Sequence, residues 1–126
     1  MRSLLSAAGC AVVLAAHAQP PALEPSVRLL VQSSAVAGFR YAEAAEVWPQ
    51  LAAGDPLELV REPDNPHDAN AVRIEWRGRK LGYVPRSENA ALAWAMDRGE
   101  ALRARVSRLA EHAKSRRRIE FEVYVE

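Results

Sequence analysis

Strict alternation of apolar and polar side chains is the clearest pattern in this chain, and it is typical of a strand with one buried face. The pattern occurs from Ala71 to Trp76 and again from Ile119 to Val125. Three other segments are less regular but rich in aliphatic residues, and we predict them as strands: Val27 to Val36, Pro56 to Arg61 and Lys80 to Val84. The chain is therefore expected to be rich in short strands.

Turn and helix signals separate these strands. A tight turn is expected at Arg77 to Arg79, so the strands on either side of it should form a hairpin. An alanine- and glutamate-rich stretch from Ala42 to Leu51 predicts a short helix. Ser87 is the expected N-cap of a second helix, which runs to about Asp97 and ends at Gly99.

The segment over residues 100–114 fits two interpretations. Leu102, Ala104 and Val106 alternate as in a strand, but Leu102, Val106 and Leu109 also have helical spacing. If the segment is a strand, its arginines could pair across a hairpin with glutamates of the last strand. The residues concerned are Arg103, Arg105, Glu120 and Glu122. Short strands around one or two short helices predict a mainly β (α+β) fold, a small closed or partly open barrel of about six strands.

The N-terminus has the three parts of a secretory signal peptide. Arg2 provides a positive start, Leu4 to Ala16 is an apolar run too short to span a bilayer comfortably, and Ala16-His17-Ala18 is a small-x-small cleavage site. The pattern predicts a periplasmic or secreted protein with no membrane insertion after signal removal, or a cytoplasmic one if the signal is not used. The predicted segments are a signal peptide over residues 1–18, an extended leader over 19–26 and one folded domain over 27–126.

Size and composition exclude two classes of protein. The 126 residues contain no Gly-rich loop ending in Gly-Lys-Ser/Thr, which excludes a complete nucleotide-driven motor. The single cysteine, Cys10, cannot form a disulfide within the chain, which excludes a disulfide-stabilised scaffold.

Lipid attachment at Cys10 is an alternative to simple export, although this cysteine lies inside the apolar run rather than at its end.

Charge is unevenly distributed along the chain. Residues 19–68 contain 3 basic and 8 acidic side chains, whereas residues 69–126 contain 13 basic and 8 acidic ones. The second half could therefore present a face that attracts phosphate. The alternative is that its arginines pair with glutamates on neighbouring strands, and we favour this for Arg103, Arg105 and Arg116 to Arg118.

The stretch from Asn65 to Asn70 combines two amides, an imidazole and a carboxylate with a proline. Such side chains often bond their own backbone, but a rigid loop can also present them to a ligand. His67 and Asp68 have no second histidine at ligand spacing, so we predict no metal or other cofactor. No serine lies in a nucleophile-elbow context either, and we predict that the protein is not an enzyme.

Two other stretches combine an arginine with a tyrosine. In Gly38-Phe39-Arg40-Tyr41, Arg40 could hold a phosphate and Tyr41 could stack a base, or Tyr41 could belong to the core beside a solvated arginine. Tyr83 and Arg86 lie just before the start of the second predicted helix, where anions are favoured.

Together, these stretches resemble the HIRAN domain. The matching segments are Val36 to Tyr41, Leu57 to Val72, Lys80 to Arg86 and the predicted helix with Leu92 and Met96. The most specific part is the run Arg-Glu-Pro-Asp-Asn-Pro-His-Asp-Ala-Asn-Ala that starts at Arg61, followed by Leu-Gly-Tyr at residues 81–83.

This resemblance implies an OB-like β-barrel that binds nucleic acid. In helicase-like remodellers of stalled replication forks, this domain captures the 3′ end of single-stranded DNA. The residues expected at the DNA in this chain are Arg40, Tyr41, Asn65, His67, Asp68, Tyr83 and Arg86. The first two would contact a phosphate and stack a base, the next two would line the end pocket, and the last two would flank phosphates. Asp68 would accept a hydrogen bond from the terminal 3′-hydroxyl, because a carboxylate accepts from a hydroxyl and repels a phosphate.

Two features depart from that family pattern. His67 stands where the fork remodellers carry a stacking tyrosine, and an exported protein cannot process replication forks. The predicted function is therefore non-catalytic binding of single-stranded DNA ends or a related anionic ligand. The alternative is an exported interaction module that binds a peptide, a glycan or a partner protein with the same barrel surface.

Overall fold

The computed structural model describes residues 29–39, 44–112 and 116–126, so the predicted signal peptide (1–18) and leader (19–26) lie outside the described residues. The prediction of a small, mainly β domain is confirmed. The strands are β1 (Leu29–Ala35), β2 (Pro56–Glu62), β3 (Ala71–Trp76), β4 (Arg79–Tyr83), β5 (Arg103–Glu111) and β6 (Arg117–Val125). The helices are α1 (Ala44–Val47) and α2 (Ala90–Asp97), and 3₁₀ turns lie at Trp48–Gln50 and Arg86–Glu88.

The six strands form one antiparallel sheet in the order β1-β6-β5-β2-β3-β4. Strand β2 joins the two halves, because Pro56 and Leu57 pair with β5 whereas the rest of β2 pairs with β3. Just beyond β1, the Ala37 amide donates to the Tyr83 carbonyl at 2.8 Å, and the Tyr83 amide donates back at 2.9 Å. This single bridge links the two edges without a continuous ladder, so the sheet is not closed and corresponds to the partly open form of the predicted barrel.

Gly82 allows the two edges to approach. Its φ is 154°, and a Cβ built at this position would lie 2.3 Å from the Ala37 carbonyl oxygen and 2.7 Å from a Val36 methyl. A side chain at Gly82 would therefore push the segment after β1 away from β4. The glycine of the Leu-Gly-Tyr run is thus required for the backbone bridge.

The ambiguous segment over residues 100–114 is a strand for most of its length. Ala104 and Val106 are buried on one face of β5, as the alternating interpretation requires. The predicted pairing of Arg105 with Glu122 is confirmed, at 3.6 Å.

The other predicted pairing in this hairpin is wrong. Arg103 lies opposite Tyr124 and pairs with Glu126 at 3.4 Å. Glu120 pairs instead with Arg108, at 3.5 Å. In an antiparallel hairpin with Arg105 opposite Glu122, Arg103 must lie opposite Tyr124, and a register shift between Val106 and Arg108 brings Arg108 opposite Glu120.

The β3–β4 hairpin agrees with the prediction, and each of the two predicted helical segments contains a helix. Arg77 and Gly78 form the two-residue turn with positive φ values of 49° and 80°. The first predicted helical segment contains α1 over Ala44–Val47, which continues into the 3₁₀ turn at Trp48–Gln50, and its predicted start at Ala42 lies outside the described residues. Ser87 is not the N-cap of α2, because it lies within a 3₁₀ turn that the Glu88 amide closes on the Pro85 carbonyl at 2.8 Å.

The core lies between the inward faces of β3, β5 and β6 and the two short helices. Its largest fully buried side chain is Phe121 of β6, and Val47 of α1 and Leu92 of α2 pack into the same cluster. Burial of this apolar surface provides the main driving force for folding. Within the part of the chain that the structure describes, no helix is long and apolar enough to cross a membrane.

Candidate functional site

A pocket of about 330 Å³ opens where the loop after β2 meets the end of β4 and the following 3₁₀ turn. Five of the predicted site residues line it, and they are Asn65, His67, Asp68, Tyr83 and Arg86. The rest of the lining is small or apolar and consists of Ala37, Gly38, Ala71 and Val84. The fold thus brings together polar groups from two segments that lie well apart in the sequence.

Arg40 and Tyr41, the other two predicted site residues, lie outside the described residues. Gly38, two positions before Arg40, lines the pocket. The roles of Arg40 and Tyr41 therefore stay predictions.

The polar side chains of the loop first shape the loop itself. Asn65 Oδ1 accepts a hydrogen bond from the His67 amide at 2.8 Å, and Asp68 Oδ1 accepts one from the Asn70 amide at 2.9 Å. These are the local backbone contacts that such residues commonly make in turns. The same two side chains line the pocket. They therefore both stabilise the loop and face the space where a ligand could bind.

Asp68 is held at both of its carboxylate oxygens. Its Oδ2 accepts a hydrogen bond from Asn89 Nδ2 at 2.7 Å, at the position just before α2. The Asn70 amide, with further contributions from Asn89 and the positive charges of Arg86 and Arg61, holds the pKa of Asp68 below its usual range. The pocket therefore contains an ionised acceptor whose oxygens each keep capacity for a ligand donor.

Glu62, at the end of β2, ties the walls of the pocket together. Its carboxylate accepts hydrogen bonds from Asn65 Nδ2 at 3.0 Å and from the Tyr83 hydroxyl at 3.1 Å, and it also pairs with the Arg73 guanidinium. Burial of Glu62 raises its pKa, but the hydrogen bonds from Asn65, Tyr83 and Arg73 outweigh that effect and leave the pKa lowered. This carboxylate is therefore charged and committed to the scaffold.

Sequence reasoning did not single out Glu62 or Asn89 as site residues. Glu62 precedes the predicted loop and looks like one of many strand glutamates in the sequence. Asn89 is only 2% exposed, and a buried asparagine needs a hydrogen-bond partner, but its sequence position does not reveal which one.

Two cations near the pocket form no ion pair with a carboxylate of a described residue. Arg86 lines the pocket, and Lys80 places its ammonium 4.6 Å from the centroid of the Tyr83 ring. Because the Tyr83 hydroxyl donates to Glu62, the cations next to Tyr83, rather than its hydroxyl, are the groups suited to a phosphate.

The arginines of β5 and β6, by contrast, are held in ion pairs. Their partners are glutamates of the same hairpin or of the chain end, and the arginines concerned are Arg103, Arg105, Arg108, Arg117 and Arg118. The interpretation that we favoured is therefore confirmed for Arg105 and Arg117, which pair with glutamates on the neighbouring strand. Arg103 pairs with Glu126 at the chain end, and Arg118 pairs with Glu120 on its own strand. Arg116, in the same basic run, is exposed and forms no ion pair with a described residue.

Acidic and histidine side chains do not cluster elsewhere in the described ranges. Among residues 29–39, 44–112 and 116–126, no group of three or more His, Cys, Asp or Glu side chains is arranged to hold a metal ion.

Comparisons with known proteins agree with the fold and the motifs. A crystal structure of a protein from Lactobacillus plantarum is similar with a TM-score of 0.69 and 27% identity, over 78% of this chain and 94% of that one. The crystal structure of the HIRAN domain of human HLTF has a TM-score of 0.57 and 21% identity, over 79% of this chain and 80% of that one. At that identity, the second likeness concerns the fold.

A curated relative matches a shorter segment. The helicase-like transcription factor of Oryctolagus cuniculus is 43% identical over 42 residues, which are 32% of this chain and 4% of that protein. The HIRAN domain family profile matches residues 29–126, nearly the whole of the predicted folded domain. The resemblance noted in the sequence is confirmed, and the chain belongs to the HIRAN domain family.

Proposed function

We propose that this HIRAN domain is a non-catalytic module that binds the 3′-hydroxyl end of single-stranded DNA in the pocket between the Asn65–Asn70 loop and the end of β4. The observation that carries the proposal is the convergence of Asn65, His67, Asp68, Tyr83 and Arg86 on one pocket. An ionised carboxylate, a cation and two rings beside apolar lining residues match the parts of a terminal nucleotide.

Each part of the pocket has a chemical role in this proposal. Asp68 accepts the terminal hydroxyl and disfavours a terminal phosphate through like-charge repulsion. Arg86 contacts a backbone phosphate, and the imidazole of His67 stacks on the terminal base. His67 is exposed and its side chain is not held by a hydrogen bond to another described residue, so it is free to meet a base.

The test is fluorescence anisotropy with 5′-labelled single-stranded oligonucleotides that differ only in a 3′-hydroxyl or a 3′-phosphate. We expect the hydroxyl end to bind more tightly at low salt, with affinity falling as salt is raised. A fully base-paired hairpin with no free single-stranded end is the control and should bind weakly. Negligible or equal binding of both single-stranded ends would overturn the proposal.

A second candidate function is an interaction module for a peptide, a glycan or a partner protein on the same surface. The paired arginines of β5 and β6 favour it, because their ion pairs leave fewer of the described basic residues for phosphate. If residues 1–18 are a signal peptide, as their sequence indicates, the ligand is extracytoplasmic, and cell fractionation of a tagged protein tests this. Partners captured from the periplasm that survive nuclease treatment would support this second function over the first.

A further inference from the structure

Asn89 is the only polar residue among the described residues that is buried to the same degree as the core. It is 2% exposed and lies between the Arg86–Glu88 turn and α2. Its amide nitrogen donates to Asp68 Oδ2 at 2.7 Å. We propose that Asn89 is a positioning residue that orients the Asp68 carboxylate as the acceptor for the terminal hydroxyl. This inference rests on the proposed function.

The hydrogen bonds to Asp68 fix its orientation. The Asn70 amide holds Oδ1 at 2.9 Å and Asn89 holds Oδ2, so rotation of the carboxylate would break one bond or both. The Asn70 donor belongs to the loop backbone, whereas Asn89 is the side chain that locks the second oxygen. Each oxygen can still accept from a ligand, because a carboxylate oxygen has two acceptor sites.

The position of Asn89 in the chain indicates that this contact replaces a more common role. Asparagine just before a helix usually accepts a hydrogen bond from an amide of the first turn. At the start of α2, Asn89 makes no such side-chain bond. Its side-chain amide donates to Asp68 instead. Burial of an asparagine is costly unless its side chain is hydrogen-bonded, and here the contact with Asp68, not a helix cap, provides that bond.

The charged groups around Asp68 determine how the pair responds to pH. Arg86 on the 3₁₀ turn and Arg61 on β2 act on Asp68 through their positive charges, and His67 is its neighbour in the loop. The hydrogen bond from Asn89 adds to these charges in holding the pKa of Asp68 below its usual range. Loss of the Asn89 donor should therefore raise that pKa even when no DNA is present.

The first experiment compares Asn89→Leu, which keeps a similar volume without a donor, with the control Ser87→Ala. Ser87 is exposed in the neighbouring turn and forms no side-chain hydrogen bond with a described residue. Carboxyl titration by NMR should show a raised Asp68 pKa in Asn89→Leu and no change in Ser87→Ala. An unchanged Asp68 pKa in a folded Asn89→Leu protein would overturn the inference.

The second readout is the ratio of affinities for 3′-hydroxyl and 3′-phosphate oligonucleotides. In Asn89→Leu we expect the affinity for the hydroxyl end to fall roughly tenfold, as for a lost hydrogen bond to a charged group. Affinity for the phosphate end should change little, so the ratio falls. Equal losses for both ends would indicate a purely structural role and would contradict the inference.

A third variant, Asn89→Asp, keeps the test decisive if Asn89→Leu does not fold. Two carboxylates at hydrogen-bond distance share one proton at low pH, and the protonated one then donates as the amide does. The end preference of Asn89→Asp, taken relative to the wild type at each pH, should recover as the pH falls. A ratio that does not depend on pH would overturn the inference.

These outcomes can be distinguished from failure of the proposed function. If wild-type protein shows no end preference, the proposed function fails, while the Asp68 titration still tests the contact with Asn89. If wild-type protein shows the preference and both Asn89 variants keep it at every pH, the positioning role alone fails.

Discussion

The arginines of the β5–β6 hairpin and the cations beside the pocket have similar charges but different partners. Arg105 and Arg108 each lie within 3.6 Å of a glutamate on β6, whereas Arg86 and Lys80 form no ion pair with a carboxylate of a described residue. Five of the 13 basic residues of the second half lie on β5 and β6, and each of the five forms an ion pair with a glutamate. The candidate site is therefore marked by cations that are not held in ion pairs, rather than by the largest number of cations.

Two acidic residues, one behind the walls of the pocket and one in its lining, show the same contrast. Glu62 uses its carboxylate to hold Asn65, Tyr83 and Arg73, whereas Asp68 is oriented by two donors and still faces the pocket. The Glu62 carboxylate supports the walls of the pocket, and the Asp68 carboxylate is presented to a ligand. Substitutions at the two residues should therefore have different effects.

The largest effect is expected from Gly82→Ala. The added Cβ would lie 2.3 Å from the Ala37 carbonyl oxygen, so the bridge between the segment after β1 and β4 cannot form unchanged. We expect the free energy of unfolding to fall by about 3 kcal/mol and ligand binding to be lost with it. Urea denaturation measures the first effect. The control is Gly78→Ala, where φ is 80° but no atom lies within 4 Å, and it should cost about 1 kcal/mol.

Glu62→Gln tests the supporting carboxylate. Loss of its charge-assisted hydrogen bonds should lower the free energy of unfolding by about 2 kcal/mol at neutral pH. Because the folded-state pKa of Glu62 is lowered, its contribution is fully present above the pKa of a glutamate in the unfolded chain and is lost as the pH falls through the lower folded-state pKa. The difference between wild type and variant should therefore shrink in acid.

The control for this experiment is Glu58→Gln on the same strand. Glu58 is exposed and forms no ion pair with a described residue, so its replacement should leave stability nearly unchanged at every pH. A Glu62→Gln deficit that does not shrink anywhere along a titration into acid, down to the pH at which the wild type unfolds, would contradict the supporting role.

Arg86→Ala and Arg105→Ala test the comparison of the two regions. Removal of Arg86 should weaken binding of single-stranded DNA several-fold and reduce the slope of log affinity against log salt by about 0.7. Arg105→Ala should leave that slope unchanged, because its guanidinium already lies 3.6 Å from Glu122. A salt titration by anisotropy measures both, and equal slope changes would refute the contrast.

The sequence predicted the parts of the fold that depend on local patterns. Alternation located β3 and β6, and the turn after Trp76 predicted the hairpin between β3 and β4. The segment over residues 100–114 stayed ambiguous because its apolar residues satisfy both periods. Only pairing with β6 on one side and β2 on the other selects the strand.

The candidate site could be predicted only in part, for a similar reason. Asn65, His67 and Asp68 stood out because a proline-containing loop concentrates them. Glu62 and Asn89 did not, because their roles arise from partners 21 residues away in the sequence. Ser87 was wrongly expected to cap α2, since nothing local revealed that a 3₁₀ turn would precede the helix.

Asp68→Asn tests most directly whether the pocket recognises a free 3′-hydroxyl. The measurement is the ratio of dissociation constants for oligonucleotides that end in a 3′-phosphate and a 3′-hydroxyl, taken for the variant and the wild type. The variant keeps an acceptor oxygen but loses the charge that repels a phosphate, so its ratio should fall to near one through tighter binding of the phosphate end. A variant that keeps the wild-type ratio would contradict the role of Asp68.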